Sequence, residues 1–228
     1  MTKNIINIGL PSKGRLKHET INIFKKNKLS IFSERGERDL FGYIKKLSNI
    51  KIIYLHAREI IEQISLGNID IGFSGYDLFK ENEVNVQNKI LINKKYNYGN
   101  ANLVLAIPDL WIDVQTLLDL DEVADEFKKK KKRLLRVATK YPNLTRQFLY
   151  SKGVTQFQLV KSLGSTEVAP FTGTAEIISD ITSTGATLKA NNLRVLKDGE
   201  ILKSQACLMQ SKLSKNKKGL KKLIKILI

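Results

Sequence analysis

The most informative chemistry in the sequence lies in one loop, Asp180-Ile181-Thr182-Ser183-Thr184-Gly185-Ala186-Thr187-Leu188. An acid at the end of an apolar run is followed by hydroxyl side chains around a glycine, and then by the start of a predicted helix. Backbone N–H groups and hydroxyls in such a loop bind phosphate, while a carboxylate accepts hydrogen bonds from ribose or binds Mg²⁺ through water. The loop predicts a sugar-phosphate site. An ordinary strand-to-helix turn capped by Thr187 is the open alternative.

Cations occur at two further positions where a predicted strand meets a helix. In Ser12-Lys13-Gly14-Arg15, the glycine lets the backbone approach a ligand. Lys13 supplies a point charge and Arg15 a planar fork, a pairing suited to a diphosphate. Arg58 starts a predicted helix, where a cation opposes the helix dipole, and this favours a functional role. The alternatives are a solvated turn for the first motif and pairing with a nearby glutamate for Arg58.

The elements that must position these residues alternate between strands and helices. Short apolar strands are predicted at residues 4–10, 51–55 and 69–73, each followed by a helical pattern. The same order recurs after residue 136, with strands at 136–139, 157–160 and 176–181 and a helical stretch at 166–174. This alternation predicts an α/β fold with open parallel sheets in two lobes.

The predicted lobes exchange the chain through strands, because no low-complexity linker separates them. Residues 1–100 form the first part of lobe I and residues 101–194 form lobe II. Residues 195–228 return to lobe I as a strand and a C-terminal helix. That helix is predicted to bury Leu220, Leu223, Ile224 and Leu227.

Net charge limits the classes of partner. The 228 residues include 39 basic and 22 acidic side chains, a formal charge of +17, but residues 128–133 and 212–228 contribute 13 of these cations. The remainder is only mildly basic, and aromatic content is 7% with no interleaving of cations and aromatics. A nucleic-acid binder that uses the lysine runs is therefore a weak alternative.

The remaining composition predicts a cytoplasmic protein with no caged metal. Cys207 is the only cysteine, so no internal disulfide is expected, and no leader pattern is recognised at the N-terminus. No apolar run approaches the length of a membrane span, so no membrane partner is expected. His18 and His56 have no further ligand at metal-binding spacing.

Four segments occur in an order that resembles ATP phosphoribosyltransferase, the family that opens histidine biosynthesis. They are INIGLPSKGRL, AREIIEQISLGNIDIGFSGYDL, LRVATKYPNLTRQFL and SLGSTEVAPFTGTAEIISDITSTGATLKANNL. The resemblance implies two lobes of the type II periplasmic-binding-protein kind with the active site in the cleft. It also implies transfer of the ribose C1 of phosphoribosyl pyrophosphate to N1 of the adenine of ATP, with release of pyrophosphate in the presence of Mg²⁺.

The resemblance assigns roles to three sets of residues. Lys13, Arg15 and Arg58 would meet the pyrophosphate as catalytic cations. The phosphoribosyl group would be bound by Asp180, Thr182, Ser183, Thr184, Gly185, Ala186 and Thr187. The ATP contacts would be Gly75, Tyr76, Asp77, Lys140, Tyr141 and Glu167. Mg²⁺ would be held mainly by substrate phosphates.

The resemblance also concerns assembly. The chain is similar to the short form of the family, for which no C-terminal histidine-sensing domain is expected. The implied partners are a second copy of the chain and a regulatory subunit similar to histidyl-tRNA synthetase. A non-catalytic two-lobed protein that closes around a small ligand is the main alternative, since it uses the same architecture. Such proteins usually work outside the cytoplasm and do not need two loops that grip polyphosphates.

Overall fold

The computed structural model describes residues 5–33, 39–45 and 47–228, and its contacts divide the chain into two units. Unit 1 contains residues 1–100 and 205–228, and unit 2 contains residues 101–204. The sequence places the return to the first lobe at residue 195, whereas the contacts place it at residue 205. The difference arises because Leu193–Ser204 pairs along its length with Ala101–Pro108.

Strands and helices are interspersed along the described residues in an α/β arrangement, and some strands follow one another without an intervening helix. The strands are β1 (Ile6–Pro11), β2 (Ile31–Phe32), β3 (Phe41–Ile44), β4 (Ile50–Leu55), β5 (Ile71–Gly75), β6 (Ile90–Lys95), β7 (Ala101–Pro108), β8 (Leu135–Thr139), β9 (Phe157–Lys161), β10 (Ile177–Thr182), β11 (Leu193–Ser204) and β12 (Ala206–Ser211). The α-helices are α1 (Gly14–Lys26), α2 (Ala57–Ser65), α3 (Tyr76–Glu81), α4 (Val84–Gln87), α5 (Leu117–Lys131), α6 (Pro142–Ser151), α7 (Ala186–Ala190) and α8 (Leu220–Leu227).

Unit 1 contains a seven-stranded mixed sheet in the order β2-β3-β4-β1-β5-β12-β6. Its centre, β4-β1-β5, is parallel, as the sequence predicts. The flanks are antiparallel, because β12 returns between β5 and β6 in the opposite direction and β3 runs against β4. The predicted parallel sheet is therefore found at the centre, and antiparallel strands extend it on both sides.

Helices pack their apolar faces in the core of unit 1. The helix α2 buries Ile60, Ile61 and Ile64. The helix α8 buries its predicted apolar face at positions 220, 223, 224 and 227 within the main core cluster of the unit. At about 25 cal/mol per Å², burying a single such side chain contributes roughly 2 kcal/mol before entropy is subtracted.

Unit 2 contains a five-stranded sheet in the order β11-β7-β10-β8-β9. Strands β10, β8 and β9 are parallel, β7 runs antiparallel to β10, and β11 runs antiparallel to β7. Helix α5 begins with a capping box in which Thr116 Oγ1 accepts from Asp119 N while Asp119 Oδ2 accepts from Thr116 N at 2.8 Å. This box starts the helix at residue 117.

The two parallel groups position the loops of interest. In unit 1, strands β1, β4 and β5 all end at one edge of the sheet, so residues 12–15, 56–58 and 75–77 follow from that edge. In unit 2, strands β8, β9 and β10 do the same for residues 140–141, 162–167 and 183–187. The carboxyl edge of a parallel sheet is the common place for ligand sites in such folds. In the described part of the chain, every helix is too short or too polar to span a bilayer.

Candidate active site

The pocket in unit 2 opens at the carboxyl edge of its parallel strands and has a volume of about 490 Å³. Loops after β8, β9 and β10 all contribute to it. The lining residues are Lys140, Gly164, Ser165, Glu167, Asp180, Ile181, Thr182, Ser183, Thr184, Thr187 and Leu188. The lining combines two carboxylates, a lysine and several hydroxyls, a set suited to a polar ligand with both phosphate and hydroxyl groups.

The loop after β10 is held in shape by its own hydroxyls. Thr182 Oγ1 accepts a hydrogen bond from Gly185 N at 2.9 Å, and Thr184 Oγ1 accepts one from Ala186 N at 3.3 Å. Gly185 has φ +75°, a conformation that side chains disfavour, so the glycine is required for the turn. A hydroxyl that accepts in this way keeps its own proton. Both threonines can therefore donate to a phosphate oxygen.

Helix α7 contributes less to anion binding than the sequence suggests. It contains only five residues, Ala186–Ala190, and its N-cap residue is Gly185, which has no side chain to cap the helix. The dipole of so short a helix is weak. The hydroxyls of the loop and the ammonium group of Lys140 are the principal sources of positive potential in the pocket.

Asp180 is the half-buried acid of the pocket, and burial raises its pKa above the ordinary value for an aspartate. A hydrogen bond from Ile181 N at 2.8 Å, the Lys140 ammonium and the Thr166 hydroxyl oppose this increase. Glu167 adds to the increase because the two carboxylates repel each other. A cation or a hydroxyl donor in the pocket would relieve that repulsion.

The structure brings together most of the unit 2 residues selected from the sequence. Asp180, Thr182, Ser183, Thr184 and Thr187 line the pocket, and Lys140 and Glu167 join them from the other two loops. Gly185 and Ala186 shape the turn but are not among the lining residues. The side chain of Tyr141 is also outside the lining, because it is buried at 6% exposure where helix α6 begins.

Sequence reasoning missed Gly164 and Ser165, which line the pocket from the loop after β9. The available signal was the run Ser162-Leu163-Gly164-Ser165-Thr166, small and hydroxyl residues directly after a strand. The sequence instead predicts a helical stretch over residues 166–174. Only a 3-10 turn, Thr166–Val168, forms there, and turns follow it.

In unit 1, the loops that carry Lys13, Arg15 and Arg58 leave neighbouring strands at the same edge of the sheet. Ser12 N donates to Leu55 O at 2.8 Å, which ties the loop after β1 to the end of β4. All three cationic side chains are exposed. The backbone N–H of Arg58 donates to His56 Nδ1 at 3.4 Å, so His56 caps helix α2 and leaves the guanidinium in its first turn.

The segment Gly75, Tyr76 and Asp77 is a direct passage from β5 into α3 rather than a loop. A Cβ atom at Gly75 would overlap Asp77 Oδ1, so this carboxylate packs onto the glycine. The Asp77 side chain is 5% exposed. Lys95, which sequence reasoning missed, lies beside them with Nζ 3.6 Å from the centroid of the Tyr76 ring. Only the return of β12 between β5 and β6 brings Lys95 to this edge.

The pocket of unit 2 also meets the requirements of Mg²⁺, which takes one or two carboxylates and leaves its remaining positions to water and phosphate. Asp180 and Glu167 both line it. Among the described residues, no group of three or more His, Cys, Asp or Glu side chains is placed to hold a metal. The donor set fits an ion shared with a phosphorylated ligand better than an ion caged by protein.

Comparison with known proteins identifies the family of the chain. The family model HisG, described as ATP phosphoribosyltransferase, matches residues 56–228. A protein of Nitrobacter winogradskyi named ATP phosphoribosyltransferase is 47% identical over 212 residues, which cover 93% of this chain and 65% of that protein. One of the same name from Mesorhizobium japonicum is 44% identical over 209 residues, covering 91% of this chain and 90% of that protein. The chain thus spans about two thirds of the first relative and nearly all of the second.

Solved structures resemble the fold. The ATP phosphoribosyl transferase (HisG:HisZ) complex from Thermotoga maritima matches with TM-score 0.73 and 25% identity, covering 98% of this chain and 96% of that chain. The arginine-, lysine-, histidine-binding protein ArtJ from Geobacillus stearothermophilus matches with TM-score 0.55 at 9% identity, covering 98% and 87%. The second likeness concerns the fold alone and agrees with the predicted fold class. The family model and the curated relatives go further, and the chain belongs to the HisG family of ATP phosphoribosyltransferases.

Proposed function

We propose that this chain is a catalytic ATP phosphoribosyltransferase, which joins N1 of the adenine of ATP to C1 of phosphoribosyl pyrophosphate and releases pyrophosphate. This reaction is the first step of histidine biosynthesis. The observation that carries the proposal is the 490 Å³ pocket of unit 2, where an acid, a lysine and a loop of hydroxyls meet in a chain of the HisG family.

The phosphoribosyl group is assigned to the loop after β10. Thr182, Ser183, Thr184 and Thr187 would donate to the 5-phosphate together with backbone N–H groups of the loop, including those near Gly185 and Ala186. Asp180 would accept hydrogen bonds from the ribose hydroxyls. The half-buried position of Asp180 supports this role, because a carboxylate that has lost water gains more from a hydroxyl donor than a solvated one does.

The pyrophosphate is assigned to Lys13, Arg15 and Arg58 at the carboxyl edge of unit 1. The family resemblance implies that these cations meet the pyrophosphate leaving group of the substrate. The exposure of all three cations supports a role toward a ligand rather than within the core.

The ATP contacts are assigned to Gly75, Tyr76, Asp77, Lys140, Tyr141 and Glu167. The buried side chains of Asp77 and Tyr141 suit support of the subsite rather than direct contact. Lys95 joins this set, because its ammonium lies over the Tyr76 ring and can reach an anion at the same edge.

The chemistry requires no activated nucleophile from the protein, because adenine N1 already carries a free lone pair. As the C1–O bond breaks, positive charge develops on the ribose and negative charge on the pyrophosphate. Preorganised cations bind the leaving group more strongly in the transition state than in the ground state, and this difference accelerates the reaction. Cys207, which is fully buried and has its pKa raised to about 11 by burial, is suited to packing rather than to chemistry.

Mg²⁺ is proposed as the companion of the phosphorylated substrates, held by their phosphates with Asp180 and Glu167. Bound there, it would reduce the repulsion between two polyanions and the charge on the leaving group. The protein's own part is to orient the ribose through the loop after β10 and to hold the leaving group with its cations.

The non-catalytic alternative rests on the fold alone. ArtJ and other binding proteins share the architecture at 9–14% identity, whereas the relatives named as enzymes are 41–47% identical. Sequence similarity at this level favours the enzyme.

The proposal extends to assembly and location. The solved structure from Thermotoga maritima is a HisG:HisZ complex, which supports a regulatory subunit as partner of this chain. A homodimer is expected from the resemblance of the sequence to the family, and the single cysteine, Cys207, favours a cytoplasmic location.

An absorbance assay for phosphoribosyl-ATP tests the function. The purified chain is mixed with ATP, phosphoribosyl pyrophosphate and Mg²⁺, with and without a candidate regulatory subunit, and pyrophosphate release is followed in parallel. Formation of both products in equal amounts is expected. A chain that binds a small ligand but forms neither product, even with the subunit, would support the binding protein instead.

A further inference from the structure

Three buried hydroxyl side chains form a series of hydrogen bonds next to residues that line the unit 2 pocket. Thr139 ends β8, Ser179 lies on β10 and Thr145 lies on α6, and their exposed fractions are 1%, 0% and 0%. Thr139 and Ser179 are register partners on adjacent parallel strands. Thr145 reaches both of them from the helix.

The direction of these hydrogen bonds follows from the single proton that each hydroxyl carries. Thr145 donates its hydroxyl proton to Ser179 Oγ at 2.8 Å, so its oxygen accepts from the Thr139 hydroxyl, with the two oxygens 3.3 Å apart. Thr139 Oγ1 in turn accepts from Tyr141 N at 2.9 Å. A hydroxyl has one proton to donate, so each of the two threonines uses its proton within the chain. Bonds linked in this way polarise and strengthen one another.

Both ends of this chain lie next to residues of the pocket. Tyr141 follows Lys140, and Ser179 precedes Asp180. Each end of the series of hydrogen bonds therefore fixes the backbone beside a residue that lines the pocket. Side chains alternate between the two faces of a strand, so Asp180 points away from the face on which Ser179 meets Thr145. Thr139 also fixes the third loop, because its carbonyl accepts from Ser162 N at 3.0 Å and Ser162 Oγ lies 3.0 Å from Thr166 Oγ1.

We propose that Thr145 is a positioning residue for the phosphoribosyl site, which acts by holding the Lys140 loop in register with Asp180 through Thr139 and Ser179. The inference rests on the proposed function. Apolar packing alone would hold α6 against the sheet with a valine at this position. A threonine also specifies the position of the loop backbone, because it completes the path from Tyr141 N to Ser179.

The test compares Thr145→Val with Thr145→Ser and a matched control, Thr20→Val. Thr20 is also fully buried, and its hydroxyl donates to Leu16 O at 2.7 Å and lies 2.9 Å from Tyr98 Oη, but it belongs to unit 1. Calorimetric titration with phosphoribosyl pyrophosphate, thermal unfolding and hydrogen exchange of the Tyr141 amide are measured for each.

Thr145→Val is expected to weaken binding of phosphoribosyl pyrophosphate about tenfold and to accelerate exchange of the Tyr141 amide by a similar factor. Thr145→Ser should restore both to within about twofold, since it keeps the hydroxyl. Thr20→Val should unfold at a lower temperature yet bind as the unsubstituted chain does. A purely structural role for Thr145 would make the two valine variants alike in binding and would overturn the proposal.

Two further outcomes are decisive. If Thr145→Val does not fold, Ser179→Ala removes the hydrogen bond from Thr145 at the other end of the series. Unchanged hydrogen exchange of the Tyr141 amide in Ser179→Ala would contradict the proposal. If the unsubstituted chain does not bind phosphoribosyl pyrophosphate, the proposed function fails. The exchange measurement uses no ligand, so it still decides whether the hydroxyls hold the Lys140 loop.

Discussion

Lys217 Nζ lies 2.7 Å from Asp70 Oδ2, and this ion pair fastens the segment that precedes α8 to the residue before β5. The Asp70 side chain is 3% exposed, and it also accepts from Asn7 N at 2.7 Å and from the Ser214 hydroxyl. A single carboxylate thus connects the first strand, the fifth strand and the C-terminal segment of unit 1.

Replacement of Asp70 by alanine is expected to lower the free energy of unfolding by about 3 kcal/mol, because several buried donors lose their acceptor at once. Urea unfolding measures this change. Asp125→Ala is the matched control, since Asp125 forms an exposed pair with Lys129 at 3.9 Å whose loss should cost under about 0.5 kcal/mol. Equal effects of the two substitutions would contradict the role of Asp70.

Asp180→Asn is expected to separate stability from activity. Burial raises the pKa of Asp180 in the folded chain, so the folded state disfavours the ionised carboxylate. As pH rises, Asp180 ionises in the unfolded chain near pH 3.8 but in the folded chain only at a higher pH. Between these two values the folded state becomes progressively less stable relative to the unfolded state, and above the folded pKa the full loss remains. An asparagine removes that cost.

Thermal unfolding at pH 7 should therefore give a higher midpoint for Asp180→Asn than for the unsubstituted chain, with the difference shrinking toward pH 3.8 and below. The same variant should lose at least about 100-fold in kcat/KM, because the ribose hydroxyls lose a charged acceptor. An active variant would contradict the predicted role of Asp180 toward the ribose. A variant that is less stable at pH 7 would contradict the predicted cost of burying the ionised carboxylate.

Arg58→Ala is expected to lower kcat by about 100-fold, or about 2.7 kcal/mol, with a smaller change in KM. The reason is that the guanidinium is assigned to the pyrophosphate as its charge develops. Lys26→Ala is a suitable control, since Lys26 is an exposed cation in the last turn of α1. Normal turnover in a folded Arg58→Ala variant would remove Arg58 from the mechanism.

Glu176→Gln is expected to remove a source of acid sensitivity in unit 2. Burial raises the pKa of Glu176, but hydrogen bonds from Arg136 and Arg133 outweigh it and lower the pKa to about 2 from 4.5. The pair therefore contributes its full stability above pH 4.5 and loses it as pH falls toward 2.

At neutral pH the glutamine variant should be less stable by about 2 kcal/mol, since the arginines lose a charged acceptor. Unfolding by urea at several pH values measures the difference, which should narrow between pH 4.5 and 2. A difference that stays constant over this interval would contradict the stated origin of the low pKa.

Local patterns were sufficient to predict the elements on which the candidate site depends. The loop from Asp180 to Thr187 follows a strand and precedes a helix as its sequence indicates, and α8 buries the predicted face. Both features depend on residues close in the chain, where hydrophobic period and glycine position determine the structure.

Features that depend on long-range pairing could not be read from the sequence. The sequence predicts one return strand after residue 195, but the chain passes from one unit to the other at Gln205, so β11 and β12 pair in different sheets. The strand predicted at 69–73 is shifted to Ile71–Gly75, because its position is set by pairing with β1 and β12. Lys95 became a candidate only once the strand order was known.

The placement of β12 has a consequence for how the molecule is made. Unit 2 is complete once residue 204 has been synthesised, whereas the sheet of unit 1 needs residues 206–211 between β5 and β6. During translation, which proceeds at about 5–20 residues per second, the first hundred residues leave the ribosome with unpaired strand edges. The part translated second is therefore the first that can fold completely, and the part translated first must wait for the last strand.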